Sequence, residues 1–371
     1  MSREDLRGKR ILLRLDLNVP LEHGEVRDAY RIEQSLHTVN WLRREGARIV
    51  IISHIGKGTP EDTLKPIADH LNALFPTIFL SDLMSPENAR VTEGMQDGEV
   101  VLVENLRHNK GEEENDPAFA AYLASLGDIY VNDAFSVSHR AHASVVGVPA
   151  LLPHYAGFLM DAEVRRLSMV FTPEHPFVFI LGGSKISTKM PLLKKFLSLA
   201  DHVILGGAIV NNFFKVAGHE IGDSVYDKDQ TEGLEPYLHN ERLILPSDVV
   251  VKNAAGSEIR RVGDVHAGDM IVDVGPASIK DLQSVIGGAK LIVWNGPLGY
   301  YEEGFTEGTR ELLSLVAGSS ATSIIGGGDT VALIRDMGAL EQFSFVSTGG
   351  GAMLDYLSSE TLPGIEALTR A

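Results

Sequence analysis

Short apolar runs alternate with stretches of helical periodicity along almost the whole chain. Runs of about four to six apolar residues joined by amphipathic helices are typical of parallel sheets covered on both faces. The pattern therefore predicts an α/β protein whose parallel sheets are flanked by helices. The predicted strands cover residues 11–15, 48–53, 100–104, 129–131, 177–181, 202–205, 291–294, 323–325 and 344–347. The predicted helices of the first half cover residues 32–45, 64–74 and 117–126.

The alternation is interrupted between residues 148 and 158, where Pro149, Pro153 and Gly157 lie close together. A helix is predicted over 161–170, and the Thr-Pro pair at 172–173 is expected to end it. At about 150 residues per domain, the length of 371 residues indicates two domains. The predicted organisation is a first domain at 1–158, an interdomain hinge helix at 159–171, and a second domain at 172–355.

The amino-acid composition excludes several classes of protein. With 44% hydrophobic and 22% charged residues the chain can build real cores, which excludes a disordered protein. The sequence contains no cysteine, which excludes disulfides, thiolate metal sites and a cysteine nucleophile. A net charge of −17 argues against a nucleic-acid partner. A charged start and the lack of any apolar run near ~20 residues predict a cytoplasmic protein with no membrane partner, which we expect to be a monomer.

In the second half, four predicted strands end in glycines and each is followed by a helical stretch. Glycine allows a sharp turn and a close approach of a ligand to the backbone. The start of a helix offers free N–H groups and a partial positive charge, and phosphates bind there. One such junction is no more than a tight turn, but four at a shared sheet edge favour a nucleotide-phosphate site. The glycines are Gly182, Gly183, Gly206, Gly207, Gly326, Gly327, Gly328, Gly349, Gly350 and Gly351.

The charged residues beside these glycines leave two interpretations open. Lys185 and Lys189 are four residues apart and share a face if both are helical, so they are either phosphate ligands or solvated surface lysines. Asp329 follows three glycines and is either a ligand of Mg²⁺ or a helix N-cap. No junction matches G-x-x-x-x-G-K-[ST] or G-x-G-x-x-G, which disfavours P-loop NTPases and dinucleotide-binding dehydrogenases.

In the first half, polar and cationic side chains follow one strand after another, which again indicates a single sheet edge. Guanidinium groups suit phosphate and carboxylate oxygens. The histidines lack a carboxylate pattern and are more typical of hydrogen-bonding groups near an anion than of metal ligands. The acidic run at 112–114 is interpreted as a solvated face. The residues expected at this edge are Asp16, Asn18, Arg31, His54, Lys57, Arg107, Asn132, Asp133, His139, Arg140 and His142.

Ten motifs in order along the chain resemble the phosphoglycerate kinase family. They are RLDLNVP (14–20), DAYRIEQSL (28–36), SHIGKG (53–58), ENLRHNKGEEEND (104–116), DIYVNDAFSVSHRAHAS (128–144), GFLMDAEV (157–164), LGGSKISTK (181–189), WNGPLGYYE (294–302), GGGDTVA (326–332) and STGGGAML (347–354).

The resemblance implies two Rossmann-like domains, with the C-terminal tail 356–371 packed on the first. It also implies a glycolytic and gluconeogenic phosphotransferase that moves a phosphoryl group from 1,3-bisphosphoglycerate to ADP, giving 3-phosphoglycerate and ATP with Mg²⁺. The glycerate side is implied to be Asp16, Asn18, Arg31, His54, Lys57, Arg107 and Arg140. The nucleotide side is implied to be Lys189, Gly206, Gly207, Asn295, Glu302, Gly326, Gly327, Gly328, Asp329 and Thr330, with Asp329 near the metal. The transferred group is implied to lie among Arg31, Lys185, Gly328 and Gly350.

One departure from the family pattern lies at Lys57 and Gly58, where the family usually has Arg-Pro. Lysine keeps the charge but loses the planar fork, so weaker binding of the glycerate phosphate is expected. The reacting oxygens of such a reaction are already ionised, so positioning and charge neutralisation take the place of a general base. A nucleotide-binding module without catalysis is the alternative, and it is disfavoured because every residue implied in transfer is present.

Overall fold

The computed structural model describes residues 6–369, which form two compact units. One unit holds the described residues up to Arg165 together with those from Ser359 onward, and the other runs from Arg166 to Ser358. No helix in the described part of the chain combines the length and apolar character needed to cross a bilayer.

A six-stranded parallel sheet forms the centre of the first unit, with the order β5-β6-β4-β1-β7-β8. Its strands, with a small hairpin β2–β3, are β1 (Arg10–Arg14), β2 (Leu21–Glu22), β3 (Glu25–Val26), β4 (Arg48–Ile52), β5 (Thr77–Leu80), β6 (Val100–Val103), β7 (Ile129–Asn132) and β8 (His154–Ala156). Strands β1, β4, β6 and β7 are buried almost throughout, which explains their continuous apolar sequences.

The second unit contains a parallel sheet of the order β11-β10-β9-β15-β16-β17 and an antiparallel sheet of the order β13-β12-β14. Its strands are β9 (Phe177–Leu181), β10 (His202–Leu205), β11 (Leu243–Ile244), β12 (Asp248–Asn253), β13 (Gly256–Arg261), β14 (Met270–Val274), β15 (Leu291–Asn295), β16 (Thr322–Gly326) and β17 (Phe345–Val346).

Helices cover the faces of both parallel sheets, and their apolar sides close the cores. They are α1 (Tyr30–Arg44), α2 (Lys65–Leu74), α3 (Glu87–Glu93), α4 (Pro117–Ser125), α5 (Phe158–Ser168), α6 (Ile186–Leu199), α7 (Ile209–Val216), α8 (Glu235–Leu238), α9 (Pro276–Asp281), α10 (Gln283–Gly288), α11 (Glu307–Ala317), α12 (Gly328–Asp336), α13 (Gly351–Ser359) and α14 (Pro363–Thr369).

The predicted α/β class with parallel sheets is confirmed, and all nine predicted strands end within one residue of an observed strand. The antiparallel sheet β12–β14 was not predicted. Strand β13 is exposed over most of its length and carries polar residues, so it has no apolar run to reveal it. The short edge strands β5, β8 and β11 were missed for the same reason, since each is largely half-buried or exposed.

Helix α5 begins three residues before the predicted start at 161 and ends at Ser168, where a 3₁₀ turn Met169–Phe171 follows. Its first N–H groups are satisfied by side chains from distant parts of the first unit. Met160 N donates to Asp133 Oδ1 at 3.0 Å, and Phe158 N donates to Thr38 Oγ1 at 3.1 Å. Because these capping groups come from other elements, no local sequence pattern marks the true start.

The C-terminal helix α14 packs within the first unit. Gly364 N donates to Ser138 O at 2.8 Å, and a Cβ added to Gly364 would lie 2.7 Å from the Ser138 Cβ. The predicted domains also include residues 1–5 and 370–371, which lie outside the described residues.

Candidate active site

Most of the expected polar residues of the first half lie at or just after the carboxyl ends of β1, β4, β6 and β7 in the first unit, whereas Arg31 lies at the start of α1. Asp16 is buried there and organises its neighbours rather than standing free. Its Oδ2 accepts from Arg31 Nη1 at 2.9 Å and from Ser136 Oγ at 2.5 Å, and its Oδ1 accepts from Asn18 N at 3.1 Å. Asp16 therefore orients the Arg31 guanidinium and the turn that holds Asn18.

Side chains of this edge also hold the loop after β4. Asn18 Oδ1 accepts from Gly56 N at 3.1 Å, and Arg107 Nη1 donates to Gly56 O. Arg107 Nε lies 3.3 Å from a carboxylate oxygen of Glu113, and the Arg107 side chain is only 11% exposed. The structure therefore joins the predicted residues of three strand ends, while Lys57 remains exposed at the loop surface.

Two histidines of this cluster, His54 and His142, are neutral near pH 7. Burial, followed by the charges of Arg14 and Arg107, holds the pKa of His54 far below its usual range. Burial, followed by the charges of Arg140 and Arg14, lowers the pKa of His142 to about 4. Arg140 Nε donates to His139 Nε2 at 3.2 Å. Positive charge in the cluster is therefore carried by guanidinium and ammonium groups, and the imidazoles act as hydrogen-bonding groups.

The interpretation of residues 112–114 as a solvated face is wrong for Glu112, which is 1% exposed. Its carboxylate accepts from Ser144 N at 3.0 Å and from Ser144 Oγ at 2.6 Å. A turn in which Glu112 N donates to Asn109 O directs this residue inward, while Glu113 and Glu114 stay exposed. Arg14, also 1% exposed, was missed as a component of the site. The available signal was an arginine at the end of an otherwise apolar strand.

In the second unit, the glycines after β9 and β10 allow neighbouring loops to touch through their backbones. Gly183 N donates to Pro297 O and Gly207 N donates to Leu298 O, each at 2.8 Å. Gly207 has a φ of +67°, and a Cβ there would lie 2.5 Å from Gly183 N. A Cβ at Gly182 would lie 2.2 Å from Pro297 O. These glycines are required by the close approach of strand-end loops.

Three of the predicted nucleotide-side residues pack beneath the strand and helix ends. A Cβ on Gly206 would lie 2.3 Å from Leu298 Cδ2, and one on Gly326 would lie 2.2 Å from Met353 Sδ. Thr330 is completely buried in α12. These contacts make the three residues packing positions of the strand and helix ends.

A groove of about 310 Å³ runs along the strand ends of the second unit and brings most of the expected phosphate-site residues together. Lys185 is exposed and occupies the extended N-cap position before α6, so the expectation that both lysines share a helix face is wrong. Lys189 lies inside the helix and is 9% exposed, with its Nζ donating to Gly182 O. The groove is lined by Gly183, Lys185, Lys189, Asn295, Gly327, Gly328, Asp329 and Gly350, among others.

The pKa values of Lys189 and Asp329 are both shifted from their usual values. Burial lowers the pKa of Lys189 to about 8, and the nearby Asp329 carboxylate acts in the opposite direction. Burial, followed by the charge of Glu302, raises the pKa of Asp329. Asp329 is the second residue of α12, whose N-cap is Gly327, so the N-cap alternative for Asp329 is wrong. Two carboxylates near each other form a site that favours a cation.

A second cavity, of about 330 Å³, shares Gly183, Pro297 and Asp329 with the groove. A slot of this size with apolar walls and a few polar groups suits a nucleoside beside its phosphates. The sequence predicted Gly207 and Glu302 here, but it missed the walls because they come largely from the unpredicted antiparallel sheet and its neighbours. The wall residues include Val210, Val249, Met270, Val272, Leu298 and Tyr300.

Asp273 is a buried carboxylate of this cavity that sequence reasoning also missed. Its Oδ2 accepts from Gly308 N at 3.1 Å and its Oδ1 accepts from Val274 N at 2.8 Å. Burial raises the pKa of Asp273 to about 6. The residue therefore anchors the start of α11 to β14, directly after the loop in which Glu302 lies.

Comparison with known proteins shows the family of the chain. A family model described as phosphoglycerate kinase matches residues 1–360. Phosphoglycerate kinases of Herpetosiphon aurantiacus and Coprothermobacter proteolyticus are 42% and 40% identical to it, covering 97% and 98% of this chain and 96% and 97% of their own. Solved phosphoglycerate kinase structures from Coxiella burnetii and Pyrococcus horikoshii are 37% and 29% identical, each with a TM-score of 0.87, and cover 100% and 99% of this chain and 98% of their own. With sequence, motifs and fold in agreement from end to end, the chain belongs to the phosphoglycerate kinase family.

Proposed function

We propose that this phosphotransferase of glycolysis moves a phosphoryl group reversibly from 1,3-bisphosphoglycerate to ADP, giving 3-phosphoglycerate and ATP. The observation that carries the proposal is that the chain has two different candidate anion sites, one in each unit. The first unit gathers cations at one sheet edge, and the second has a glycine-lined groove beside an apolar slot.

The glycerate substrate is assigned to the first unit. Arginine forks bind carboxylate and phosphate oxygens in two-point fashion, and the Arg31 and Arg107 side chains are held in place by Asp16 and Glu113. Neutral His54 supplies a hydrogen bond, and exposed Lys57 supplies charge at the loop after β4. The proposed glycerate-side residues are Asp16, Asn18, Arg31, His54, Lys57, Arg107 and Arg140.

The nucleotide is assigned to the second unit. The apolar slot suits a base, Glu302 at its rim suits ribose hydroxyls, and the groove with Lys189 and Asn295 suits phosphates. Gly206, Gly326 and Thr330 contribute by packing, as described above. The proposed nucleotide-side residues are Lys189, Gly206, Gly207, Asn295, Glu302, Gly326, Gly327, Gly328, Asp329 and Thr330.

The residues at the groove fit a magnesium ion bound together with nucleotide phosphates. Asp329 is a hard oxygen ligand whose pKa is raised by burial and by Glu302, and a cation relieves that repulsion. Mg²⁺ characteristically takes one or two protein carboxylates together with substrate phosphates. When bound, it neutralises charge on the phosphate oxygens.

The transfer needs no protein base. The attacking oxygen is a phosphate oxygen of ADP in one direction and the carboxylate of 3-phosphoglycerate in the other, and both are ionised near pH 7. The protein instead orients the substrates and neutralises the charge of the moving group. We assign this role to Arg31 of the first unit and to Lys185, Gly328 and Gly350, which line the groove of the second.

The same proposal assigns residues 1–158, with the tail 356–371, to a glycerate domain and 172–355 to a nucleotide domain, joined by an interdomain helix at 159–171. The packing of α14 against residues 138–147 of the first unit supports the placement of the tail. An acidic chain without cysteine suits a cytoplasmic monomer, which is the setting we propose.

A coupled turnover assay with 3-phosphoglycerate and MgATP tests the proposal. Wild type is expected to turn over, and Arg31→Ala is expected to lower kcat/KM about 10³-fold because it removes a cation from the transferred group. Arg27→Ala is the matched control, since Arg27 is 70% exposed and pairs with Glu22 on the hairpin. Absence of turnover by the folded wild type, or equal loss in both variants, would reject the assignment.

A further inference from the structure

A chain of buried hydrogen bonds runs beneath the cationic cluster of the first unit. Ser144 Oγ lies 2.6 Å from Glu112 Oε1 and 3.0 Å from Arg14 Nε, and Arg14 Nη2 lies 3.1 Å from His54 Nδ1. All four side chains are at least 96% buried. Glu112, Ser144, Arg14 and His54 are named here the buried relay.

The direction of every hydrogen bond in the buried relay follows from the chemistry of its members. A guanidinium group can only donate, so Ser144 Oγ accepts from Arg14 Nε. The single hydroxyl hydrogen of Ser144 is then available for Glu112 Oε1. By the same rule, His54 Nδ1 must accept from Arg14 Nη2. A neutral imidazole that accepts at Nδ1 carries its hydrogen at Nε2.

Arg14 is fixed in this position by further contacts. Its Nη1 donates to Leu15 O and lies 3.4 Å from Ser53 Oγ. The carboxylate of Glu112 balances the buried guanidinium charge through the Ser144 hydroxyl, which satisfies the requirement that buried charges be compensated. The guanidinium therefore has little freedom to turn away from His54.

We propose that Glu112, Ser144 and Arg14 are positioning residues, which hold the His54 ring neutral with its hydrogen at Nε2 so that it donates to an oxygen of the phosphorylated glycerate. This inference rests on the proposed function only for the identity of the anion that receives the hydrogen bond. The charged and titratable groups that face His54 are Arg14, Arg107, Arg140 and His142. Burial of the ring, followed by the charges of the three arginines, opposes its protonation near pH 7.

The consequence is a substrate contact that does not depend on pH. A histidine that titrates near its ordinary pKa would change from a donor on both nitrogens to a donor on one between pH 5 and 8. Burial of the ring, the donor at Nδ1 and the neighbouring arginine charges remove this change at His54. The cluster thus keeps its arginine charges and adds one donor of fixed position.

Long-range ¹H–¹⁵N spectroscopy of the histidine rings tests the inference on the intact, substrate-free protein. The signal of His54, assigned among the 13 histidines by its loss in His54→Gln, is expected to show Nε2 protonated and Nδ1 unprotonated, without change from pH 5 to 8. Hydrogen at Nδ1, or on both nitrogens at pH 7, would overturn the inference whether or not any variant folds.

Arg14→Met separates positioning from plain stability. Loss of the donor is expected to move the His54 Nδ1 signal towards the protonated position and to raise KM for 3-phosphoglycerate about tenfold, as expected for one hydrogen bond to an ionised group. KM for MgATP is expected to stay unchanged. An unaltered His54 spectrum in folded Arg14→Met would contradict the inference.

Tyr130→Phe is the matched control. Its hydroxyl donates to the main-chain oxygen of Ser144 at 2.6 Å, so the variant loses a buried hydrogen bond to the same residue but leaves the buried relay intact. It is expected to lower stability without changing the His54 spectrum. If Tyr130→Phe changed the His54 spectrum in the same way as Arg14→Met, the change would be due to packing in general and not to the buried relay. Correct spectra without turnover would reject the proposed function alone, and turnover with the wrong tautomer would reject this inference alone.

Discussion

The two candidate anion sites of this molecule differ in the groups that form them: side chains in the first unit and mainly backbone in the second. In the first unit, side chains from several strand ends form the site and hold one another, as Asp16 holds Arg31 and Glu113 holds Arg107. In the second unit, loops meet through backbone atoms at Gly183, Gly207 and Pro297, and only a few side chains reach the groove. A site of the first kind depends on charge, whereas a site of the second kind depends on space that a single methyl group can remove.

The largest effect is expected for Lys185→Ala, because Lys185 is an exposed cation in a groove that is lined largely by glycine-rich loops. We expect kcat to fall about 10³-fold, with KM for both substrates changed by less than roughly threefold, since the charge acts on the transferred group. Steady-state kinetics measures both. Lys194→Ala, at an exposed lysine within α6, is the control. A rise in KM alone would assign Lys185 to ground-state binding.

Gly207→Ala tests whether the second site depends on space. A Cβ would lie 2.5 Å from Gly183 N, so we expect a loss of about 2–4 kcal/mol in the free energy of unfolding and a large rise in KM for MgATP. Urea unfolding and kinetics measure the two effects. Gly218→Ala is matched to it, because its φ of +83° is similar but nothing lies within 4 Å of the added Cβ. Equal losses in both variants would attribute the effect to backbone strain alone.

The pH dependence of nucleotide binding tests the role of Lys189, a buried cation of the groove with a lowered pKa. Lys189, with a pKa lowered to about 8, is charged below pH 8 and neutral above it. Therefore kcat/KM for MgATP is expected to fall as pH rises through 8, because a neutral amine attracts phosphate less. Lys189→Arg should shift the fall to higher pH. A wild-type profile that stays flat to pH 9.5 would contradict the assignment.

The smallest expected effect concerns the first unit. Lys57→Arg restores a planar fork at an exposed position and should lower KM for 3-phosphoglycerate about two- to fivefold, leaving KM for MgATP unchanged. Gly58 must stay glycine in this experiment, since its φ is +86° and a Cβ would lie 2.4 Å from Arg107 O. An unchanged KM for 3-phosphoglycerate would show that charge alone matters at residue 57.

The same difference explains what the sequence could predict. Buried parallel strands such as β1 and β9 have continuous apolar sequences, so their positions were predicted within one residue. Candidate site residues such as Arg31 and Lys189 stand out by type and by position beside a motif. The walls of the apolar slot do not, because Val249 and Met270 look like any other strand residues until the antiparallel sheet forms.

Glu112 shows a second limit of sequence reasoning. Three consecutive glutamates indicate a solvated surface, yet one of them is turned inward to meet Ser144, which is 32 residues away in the chain. The partner that justifies burial of a carboxylate is visible only in three dimensions. Arg14 was missed for the same reason, because its partners Ser144 and His54 come from other elements.

The placement of α14 has a consequence for synthesis on the ribosome. The first unit is completed by residues from Ser359 onward, so its last helix leaves the exit tunnel only after every residue of the other unit. The nascent first unit must therefore persist without the contact between Gly364 and Ser138 while about half of the chain is translated. Proteolysis of stalled nascent chains should find this unit cleavable until the final segment emerges.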